Sequence, residues 1–232
     1  MSRPFLALSA AAAVTLCLVA GPAAADHHKG DHKDGGKNGG KDGGGEVEVL
    51  FDGSSLDGWT KADENPDAFS LDEEKGAIKA QGQRCHLYYT GNDRPYRDFE
   101  LTMQVMTEPN SNGGVYIHTR YQDQGWPAGG FECQVNNSYE KDPKKTGSLY
   151  AVSNVMRQVV PDNEWFDYTI RVEGNHIQTM VNGEVLVDYY EPEGATPGKG
   201  FDRTLSAGTF ALQAHDPGSV VYYKDIQVKR LN

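Results

Sequence analysis

Short runs of alternating apolar and polar residues make up most of the chain after residue 46. The run at 99–107 (FELTMQVMT) is the longest, and the run at 166–173 (FDYTIRVE) has the same period of two. Successive side chains of a strand point to opposite faces of a sheet, so this period predicts β-strands with one buried face. No twelve-residue stretch has a helical period, and only residues 162–165 fit a single helical turn.

Turn signals divide these runs into hairpins. Asn182-Gly183 separates the runs at 176–181 and 184–189, and an Asn-Gly pair supplies the positive φ angles of a type I′ turn. Many strands and almost no helix predict an all-β sandwich, jelly roll or barrel, and long one-face alternations favour the first two. We therefore expect a jelly-roll β-sandwich of two curved antiparallel sheets. Its expected core includes Met103, Val105, Ile170, Val172, Ile177, Val181, Val185 and Val187.

The stretch 112–137 carries the most chemistry. Two strand-like runs in it flank a loop rich in Gly, Trp and Pro. Alternation puts apolar residues on one face of both runs. The other face receives a phenol, two bases, a carboxylate and two amides, which are Tyr116, His118, Arg120, Glu132, Gln134 and Asn136. This face is the candidate site.

The first 45 residues differ from the rest. Arg3, an apolar run at 5–20 and small residues ending at Ala25 predict a secretory signal peptide at 1–25. The run is shorter than the roughly 20 apolar residues of a membrane span, so we expect a periplasmic or secreted protein without one. The composition of residues 26–45 predicts a flexible tether that acts as a solvated spacer. The alternative is that its three histidines bind a metal ion loosely. A single domain is expected at 46–232.

Charge and cysteine content narrow the choice of partner and compartment. The formal net charge of −11 argues against nucleic acid, which attracts basic surfaces. Beyond the signal peptide, Cys85 and Cys133 remain, and an oxidising compartment allows them to pair. Both cysteines fall at inward-facing strand positions, so the alternative to a disulfide is two unpaired thiols in the core. The spacing of the two cysteines does not decide between a disulfide and free thiols. The oligomeric state is left open.

A series of short motifs follows the same order as in a known family. The motifs are LFDGSSLDGW (50–59), NGGVY (112–116), FECQV (131–135), TGSLY (146–150), EWFDY (164–168), VNG (181–183), LQAH (212–215) and YKDI (223–226). Together they resemble the 3-keto-disaccharide hydrolase family of bacterial secreted proteins, over nearly the whole predicted domain. The chain departs from the family at Asn137, where an Asp is common, which puts any metal or proton-transfer role there in doubt.

The resemblance implies a concanavalin A-like jelly roll with a ligand groove on one sheet, and cleavage of glycosides already oxidised to a ketone at C3. Such a ketone acidifies the hydrogen on C2, so that a base removes it and the protonated group on C1 leaves. Water then adds back, and the net result is hydrolysis. This route needs a base, an acid, and donors or a metal to stabilise an enediolate, but no close pair of carboxylates.

Three residues are the catalytic candidates. Glu132 comes first because it lies inside a family motif, with a solvated strand carboxylate as the alternative. His118 and His215 are candidates for proton transfer, since imidazole titrates near pH 7. For substrate binding, Gln134 and Gln213 are expected to hydrogen-bond sugar hydroxyls, and Arg120 to stabilise a developing oxyanion. Tyr116 and Trp126 offer aromatic rings for stacking on a sugar. Family position alone adds Arg157 and Tyr150 at the groove border.

The need for a metal stays open. His118, Glu132 and His215 form a possible His/carboxylate set for Zn²⁺ or Mn²⁺. Nothing in their spacing shows such a site, because they come from separate predicted strands.

The expected function is an exported enzyme that cleaves 3-keto-disaccharides, with an oxidised di- or oligosaccharide as its partner. A non-catalytic, lectin-like carbohydrate-binding module of the cell envelope is the first alternative, because sandwich folds host many binding modules. A structural envelope domain held on the tether is the second. The anomer, the leaving group and the choice between hydrolysis and a lyase outcome are left open.

Overall fold

The computed structural model describes residues 45–231, which form thirteen strands and one 3-10 helix, Pro66–Ala68. In chain order the strands are β1 (Val47–Phe51), β2 (Trp59–Lys61), β3 (Phe69–Asp72), β4 (Ala77–Ala80), β5 (Cys85–Tyr89), β6 (Phe99–Thr107), β7 (Gly113–Thr119), β8 (Phe131–Val135), β9 (Phe166–Glu173), β10 (His176–Val181), β11 (Glu184–Tyr190), β12 (Thr209–Ala214) and β13 (Val221–Arg230). The predicted all-β class is confirmed.

The strands form two antiparallel sheets. One has eight strands in the order β11-β10-β9-β6-β13-β4-β3, with β1 paired to residues 226–229 of β13. The other has five, in the order β2-β5-β12-β7-β8. The predicted meander is β9-β10-β11, and its turn places Asn182 at φ 49° and Gly183 at φ 80°. The expected jelly-roll sandwich is therefore present.

The core lies between the two sheets, and alternate residues of their strands fill it. Seven of the eight expected core residues are buried, but Val185 is 47% exposed. The pairing of β10 with β11 shifts register between Thr179 and Met180, which inserts Leu186 as an extra residue and turns Val185 to solvent. Cys85 and Cys133 are both buried and unpaired, which matches the core-thiol alternative.

Loops cover the outer face of the five-stranded sheet, so that β7 and β8 are buried along their whole length. The loop after β8 folds back onto that strand, because the backbone N–H of Tyr150 donates to the carbonyl of Glu132 over 2.8 Å. The β7–β8 and β11–β12 loops meet where Gly129 forms a bridge with Asp202. Outward-facing polar residues of this sheet consequently line a cavity that is partly open to solvent.

Two sequence predictions concern the N-terminal residues of the chain. The predicted signal peptide, and the predicted tether apart from Gly45, lie outside the described residues. Between residues 45 and 231, the fold contains no helix with the length and apolar character needed to cross a bilayer.

Candidate active site

A cavity of about 400 Å³ opens on the outer face of the five-stranded sheet. This volume is typical of small-ligand pockets. Strands β7, β8 and β12 supply its floor, which consists of Tyr116, Glu132, Gln134 and Gln213. Its walls come from residues beside these strands and from the loops, namely Asn112, Trp126, Asp142, Tyr150, Ala151, Phe201, Arg203 and His215. Six of the nine predicted site residues, and Tyr150, therefore share one cavity.

Glu132 is held on the cavity floor by regular alternation in β8. Its neighbours Phe131 and Cys133 lie in the core, and Glu132 itself is only 8% exposed. The hydroxyl of Tyr116 donates to Glu132 Oε2 over 2.9 Å, and Gln213 Nε2 donates to Oε1 over 2.8 Å. These two bonds fix the carboxylate at one position against the cavity.

Gln134 adds a third donor when its amide nitrogen faces Glu132. In that orientation Gln134 Nε2 donates to Glu132 Oε1 over 3.2 Å and to the Gly113 carbonyl over 3.2 Å. Burial raises the pKa of Glu132, although the hydrogen bonds from Gln213 and Tyr116 oppose the rise. A carboxylate with a raised pKa is a stronger base than a solvated one, so Glu132 is suited to proton transfer.

His215 is an oriented imidazole on the cavity wall, directly after β12. Its Nδ1 lies 2.8 Å from Asp216 Oδ2. Asp216 is in turn fixed by the hydroxyl of Ser219 at 2.9 Å and by the backbone N–H of Gly218 at 3.0 Å. A carboxylate on Nδ1 favours the tautomer with its proton there, which leaves Nε2 free to exchange a proton with a ligand.

Trp126 presents a fixed aromatic surface at the cavity wall. The guanidinium carbon of Arg84 lies 5.3 Å from the centre of the ring, and the ring of His86 meets it edge-on at 5.6 Å. Glu64 holds Arg84 through a 2.8 Å contact and also accepts the N–H of Gly125 over 2.8 Å. Because cation–π and edge contacts fix the indole in advance, it is suited to stacking on a sugar ring.

Arg203 supplies the positive charge of the cavity. Its Nη1 donates to the Gly130 carbonyl over 2.7 Å, and its guanidinium carbon lies 5.9 Å from the centre of the Tyr116 ring and 4.9 Å from that of Phe201. Sequence reasoning missed Arg203 and Phe201. They lie in the β11–β12 loop, where neither alternation nor a family motif marks a site.

Asp142, Tyr150 and Lys144 form a bonded group on the opposite wall. The hydroxyl of Tyr150 donates to Asp142 Oδ2 over 2.8 Å, and Lys144 Nζ lies 3.4 Å from Asp142 Oδ1. Although burial alone would raise the pKa of Asp142, hydrogen bonds from Lys144 and Tyr150 lower it overall. Asn136 shapes this loop by donating to the carbonyls of Asp142 and Lys144 over 3.0 and 2.9 Å. Asp142 is thus a paired anion that could accept bonds from sugar hydroxyls.

The prediction that His118 belongs to this site is wrong. Two residues of β7, Ile117 and His118, face the single residue Phe210 of β12, and this β-bulge places His118 at φ 55°. The bulge turns the imidazole off the cavity face, so that it meets the buried ring of Phe99 edge-on at 5.6 Å. Its Nε2 lies 2.8 Å from the carbonyl oxygen of Arg97.

Two arginines predicted to bind substrate also lie elsewhere. Arg120 follows the same bulge and lines a different cleft, with Arg94 and Arg97. The side chain of Arg157 is 61% exposed and forms a surface ion pair with Glu184, over 2.7 Å. Its place in the family pattern gave no information on side-chain direction.

The possible metal set is not assembled. Because the bulge removes His118, only Glu132 and His215 of that set line the cavity. In residues 45–231, no three His, Cys, Asp or Glu side chains are grouped closely enough to hold a metal ion. Asn137 has a structural role, since its Nδ2 donates to Thr107 Oγ1 over 2.8 Å and its Oδ1 accepts from the Thr146 hydroxyl over 2.6 Å.

Comparison with known proteins supports this picture. The sequence profile of a 3-keto-alpha-glucoside-1,2-lyase-like domain matches residues 46–229. No curated protein sequence matches the chain significantly. A candidate glycosyl hydrolase from Parabacteroides distasonis ATCC 8503 superposes with a TM-score of 0.66 at 22% identity, over 80% of this chain and 94% of that one. The Bacillus licheniformis beta-glucanase superposes with a TM-score of 0.51 at 12% identity, over 82% of this chain and 99% of that one. The carbohydrate binding module CBM66 from Bacillus subtilis superposes with a TM-score of 0.51 at 13% identity, over 73% of this chain and 94% of that one.

The two stacked antiparallel sheets define a concanavalin A-like jelly-roll β-sandwich. The chain belongs to the family of 3-keto-alpha-glucoside-1,2-lyase-like domains, because the family profile covers residues 46–229. The resemblance inferred from the ordered motifs is thereby confirmed.

Proposed function

We propose that the protein cleaves 3-keto-glycosides, especially 3-keto-disaccharides, by base-assisted elimination followed by addition of water. The observation that carries this proposal is Glu132, a buried carboxylate with a raised pKa at the floor of a cavity that also holds the oriented His215. Action in the periplasm or outside the cell belongs to the same proposal and is supported by the signal-like residues 1–25.

In the first step, Glu132 takes the proton from C2, and the electron pair of that C–H bond forms an enediolate with its charge on the C3 oxygen. The C3 carbonyl then re-forms, and the electron pair of the C2–C3 double bond moves to form a double bond between C1 and C2. The C1–O bond breaks at the same time. The departing oxygen takes a proton from the acid. Stopping here releases an unsaturated keto sugar, which is a lyase outcome. Adding hydroxide to C1 and a proton to C2 completes hydrolysis.

The other side chains of the cavity match the remaining needs of this route. His215, oriented by Asp216, is the acid: as an imidazolium that keeps its Nδ1 proton on Asp216, it gives its Nε2 proton to the leaving oxygen. Arg203 is the cation that stabilises the negative charge on the enediolate, because its guanidinium lines the same cavity as Glu132. Trp126 stacks on a sugar ring, and Asp142 binds its hydroxyls.

A turnover screen tests the proposal. Purified protein is incubated with 3-keto-disaccharides of α and β linkage and with their unoxidised parents, with and without added divalent metal, and the products are identified by mass spectrometry. We expect release of a free sugar from the keto substrates alone, because only a C3 ketone acidifies C2. Calorimetric binding without turnover of any substrate would instead indicate the lectin-like module.

His215→Gln is expected to lower the turnover number on the best 3-keto substrate by about a hundredfold, because general acid catalysis contributes about that much. Asp216→Asn should lower it less and should also move the pH profile, since Asp216 acts only through the orientation and charge of the imidazole.

The matched control is His176→Gln. His176 also contacts an aspartate, with Nε2 at 2.5 Å from Asp188 Oδ1, but on the far edge of the eight-stranded sheet. Its turnover should equal that of the wild type. If His215→Gln retained full turnover while keeping its fold, the acid would have to be another residue of the cavity.

A further inference from the structure

A second cleft, of about 510 Å³, is lined by three arginines. Arg94 and Arg97 come from the β5–β6 loop, Arg120 directly follows β7, and residues 206–209 at the start of β12 complete it. This cleft shares no lining residue with the candidate active site. It is the location of Arg120, for which the proposed function has no role.

The charge of this cleft contrasts with that of the whole chain. The protein carries a formal net charge of −11, yet three arginines converge here with Asp93 as the one acidic side chain in the lining. Elsewhere in residues 45–231, Arg84, Arg157 and Arg171 each lie within 4.0 Å of a carboxylate, whereas Arg203 and Arg230 donate to backbone carbonyls. Arg94, Arg97 and Arg120 have no such partner among the described residues, although all three are exposed. Their guanidinium groups are therefore available to a ligand.

His118 forms hydrogen bonds to both sides of the cleft. Its Nε2 donates to the carbonyl of Arg97 over 2.8 Å, while the backbone N–H of Ser206 donates to its Nδ1 over 3.4 Å. Burial lowers the pKa of His118, which favours the neutral ring that can make both bonds. A non-glycine residue at φ 55° is strained by about 1 kcal/mol or more. The fold accepts this strain where it fixes the distance between the two walls.

Gly208 allows the walls to approach. A Cβ atom at this position would lie 2.3 Å from the carbonyl oxygen of Thr119, which is too close for any side chain. Gly208 also exchanges backbone hydrogen bonds with Tyr96, at 2.7 and 3.0 Å. The cleft is thus bounded by backbone that is fixed on both sides, and the three arginines line it.

We propose that this cleft binds an oxyanion, namely a carboxylate, phosphate or sulfate group, carried by an acidic saccharide. A guanidinium group is planar and always charged, and it donates two parallel hydrogen bonds to such groups. The oxyanion site rests on residues outside the candidate active site and requires no turnover, whereas the choice of a saccharide as its carrier rests on the proposed function.

An NMR titration of the purified protein tests the proposal, at constant ionic strength set with chloride. The probes are glucuronate, inorganic phosphate and inorganic sulfate, with glucose as the neutral reference. We expect saturable shifts of the amide signals of residues 94–97 and 206–209 with the anions and none with glucose. Arg97→Gln and Arg120→Gln should each raise the dissociation constant by about fivefold, since each removes one exposed charge pair. The double variant should abolish saturation.

Arg157→Gln is the matched control, because it removes an exposed arginine that does not line the cleft, and binding should be unchanged. Tighter binding of glucuronate than of phosphate or sulfate would support an acidic saccharide as the source of the oxyanion. Equal or tighter binding of the inorganic ions would support an oxyanion site but overturn the saccharide. Shifts that do not saturate, or that survive in the double variant, would overturn the site itself.

Discussion

Replacing Glu132 with glutamine is expected to lower turnover of a 3-keto-disaccharide by about a thousandfold, within the range that a general base contributes. The amide lacks the basic electron pair that removes the C2 proton, while its shape is nearly that of the carboxylate. Initial rates with the best keto substrate measure the loss. Because the chemical step is affected and binding is not, the fall should appear in the turnover number more than in the Michaelis constant.

The fold should tolerate this replacement. Tyr116 can still donate to the new amide oxygen, and Gln213 can turn its own amide to accept from the new NH₂ group. Gln213 Oε1 is buried without a hydrogen-bond partner in the described part of the chain, so this rotation would satisfy it. We therefore expect Glu132→Gln to melt near the wild-type temperature.

Glu173→Gln is the control for the loss of one negative charge. Glu173 lies at the end of β9 on the other sheet, exposed and contacting Arg171 over 2.8 Å. Its turnover should equal that of the wild type. Full turnover by folded Glu132→Gln would remove Glu132 from the mechanism, although turnover by the wild type would still support the proposed reaction.

The sequence reasoning placed Glu132 on the cavity face but misplaced His118, and both outcomes have one physical cause. Alternation is a property of a regular strand, and β8 is regular, so Phe131 and Cys133 locate Glu132 correctly. In β7 a bulge breaks the alternation. Thr119 pairs with Thr209 and Tyr116 pairs with Ala211, so two residues of β7 lie opposite one residue of β12. A bulge is a relation between two strands distant in sequence, so neither strand shows it alone.

Loop residues were hidden for a different reason. Arg203 reaches the cavity because the β11–β12 loop pairs with the β7–β8 loop at Gly129 and Asp202. Such a contact depends on the course of two irregular segments, for which a sequence offers no period to extend. Gln213 and His215, by contrast, were found because they lie on or directly after the regular strand β12.

The native state should lose stability steeply as the pH falls below about 6.5, and His86 should be a main cause. Burial lowers the pKa of His86 to about 3, and its side chain is inaccessible to solvent. Neither ring nitrogen has a hydrogen-bond partner in the described part of the chain. The ring meets Tyr116, the hydrogen-bond donor to Glu132, edge-on at 5.3 Å.

The sign follows from proton uptake. An unfolded histidine has a pKa of about 6.5, so between that pH and about 3 the unfolded chain binds a proton that native His86 does not. Acid therefore favours the unfolded chain, and the free energy of unfolding falls by about 1.4 kcal/mol per pH unit from this group. His118, whose pKa burial also lowers, acts in the same direction.

Urea unfolding at a series of pH values between 7 and 4 measures this slope in the wild type and in His86→Phe. Phenylalanine keeps an aromatic ring against Tyr116 and Trp126 but cannot bind a proton. Its curve should be flatter by about 1.4 kcal/mol per pH unit, and it should be at least as stable at pH 7, since two unsatisfied buried nitrogens are removed. Parallel curves for the wild type and His86→Phe would mean that native His86 takes up its proton as readily as the unfolded chain does.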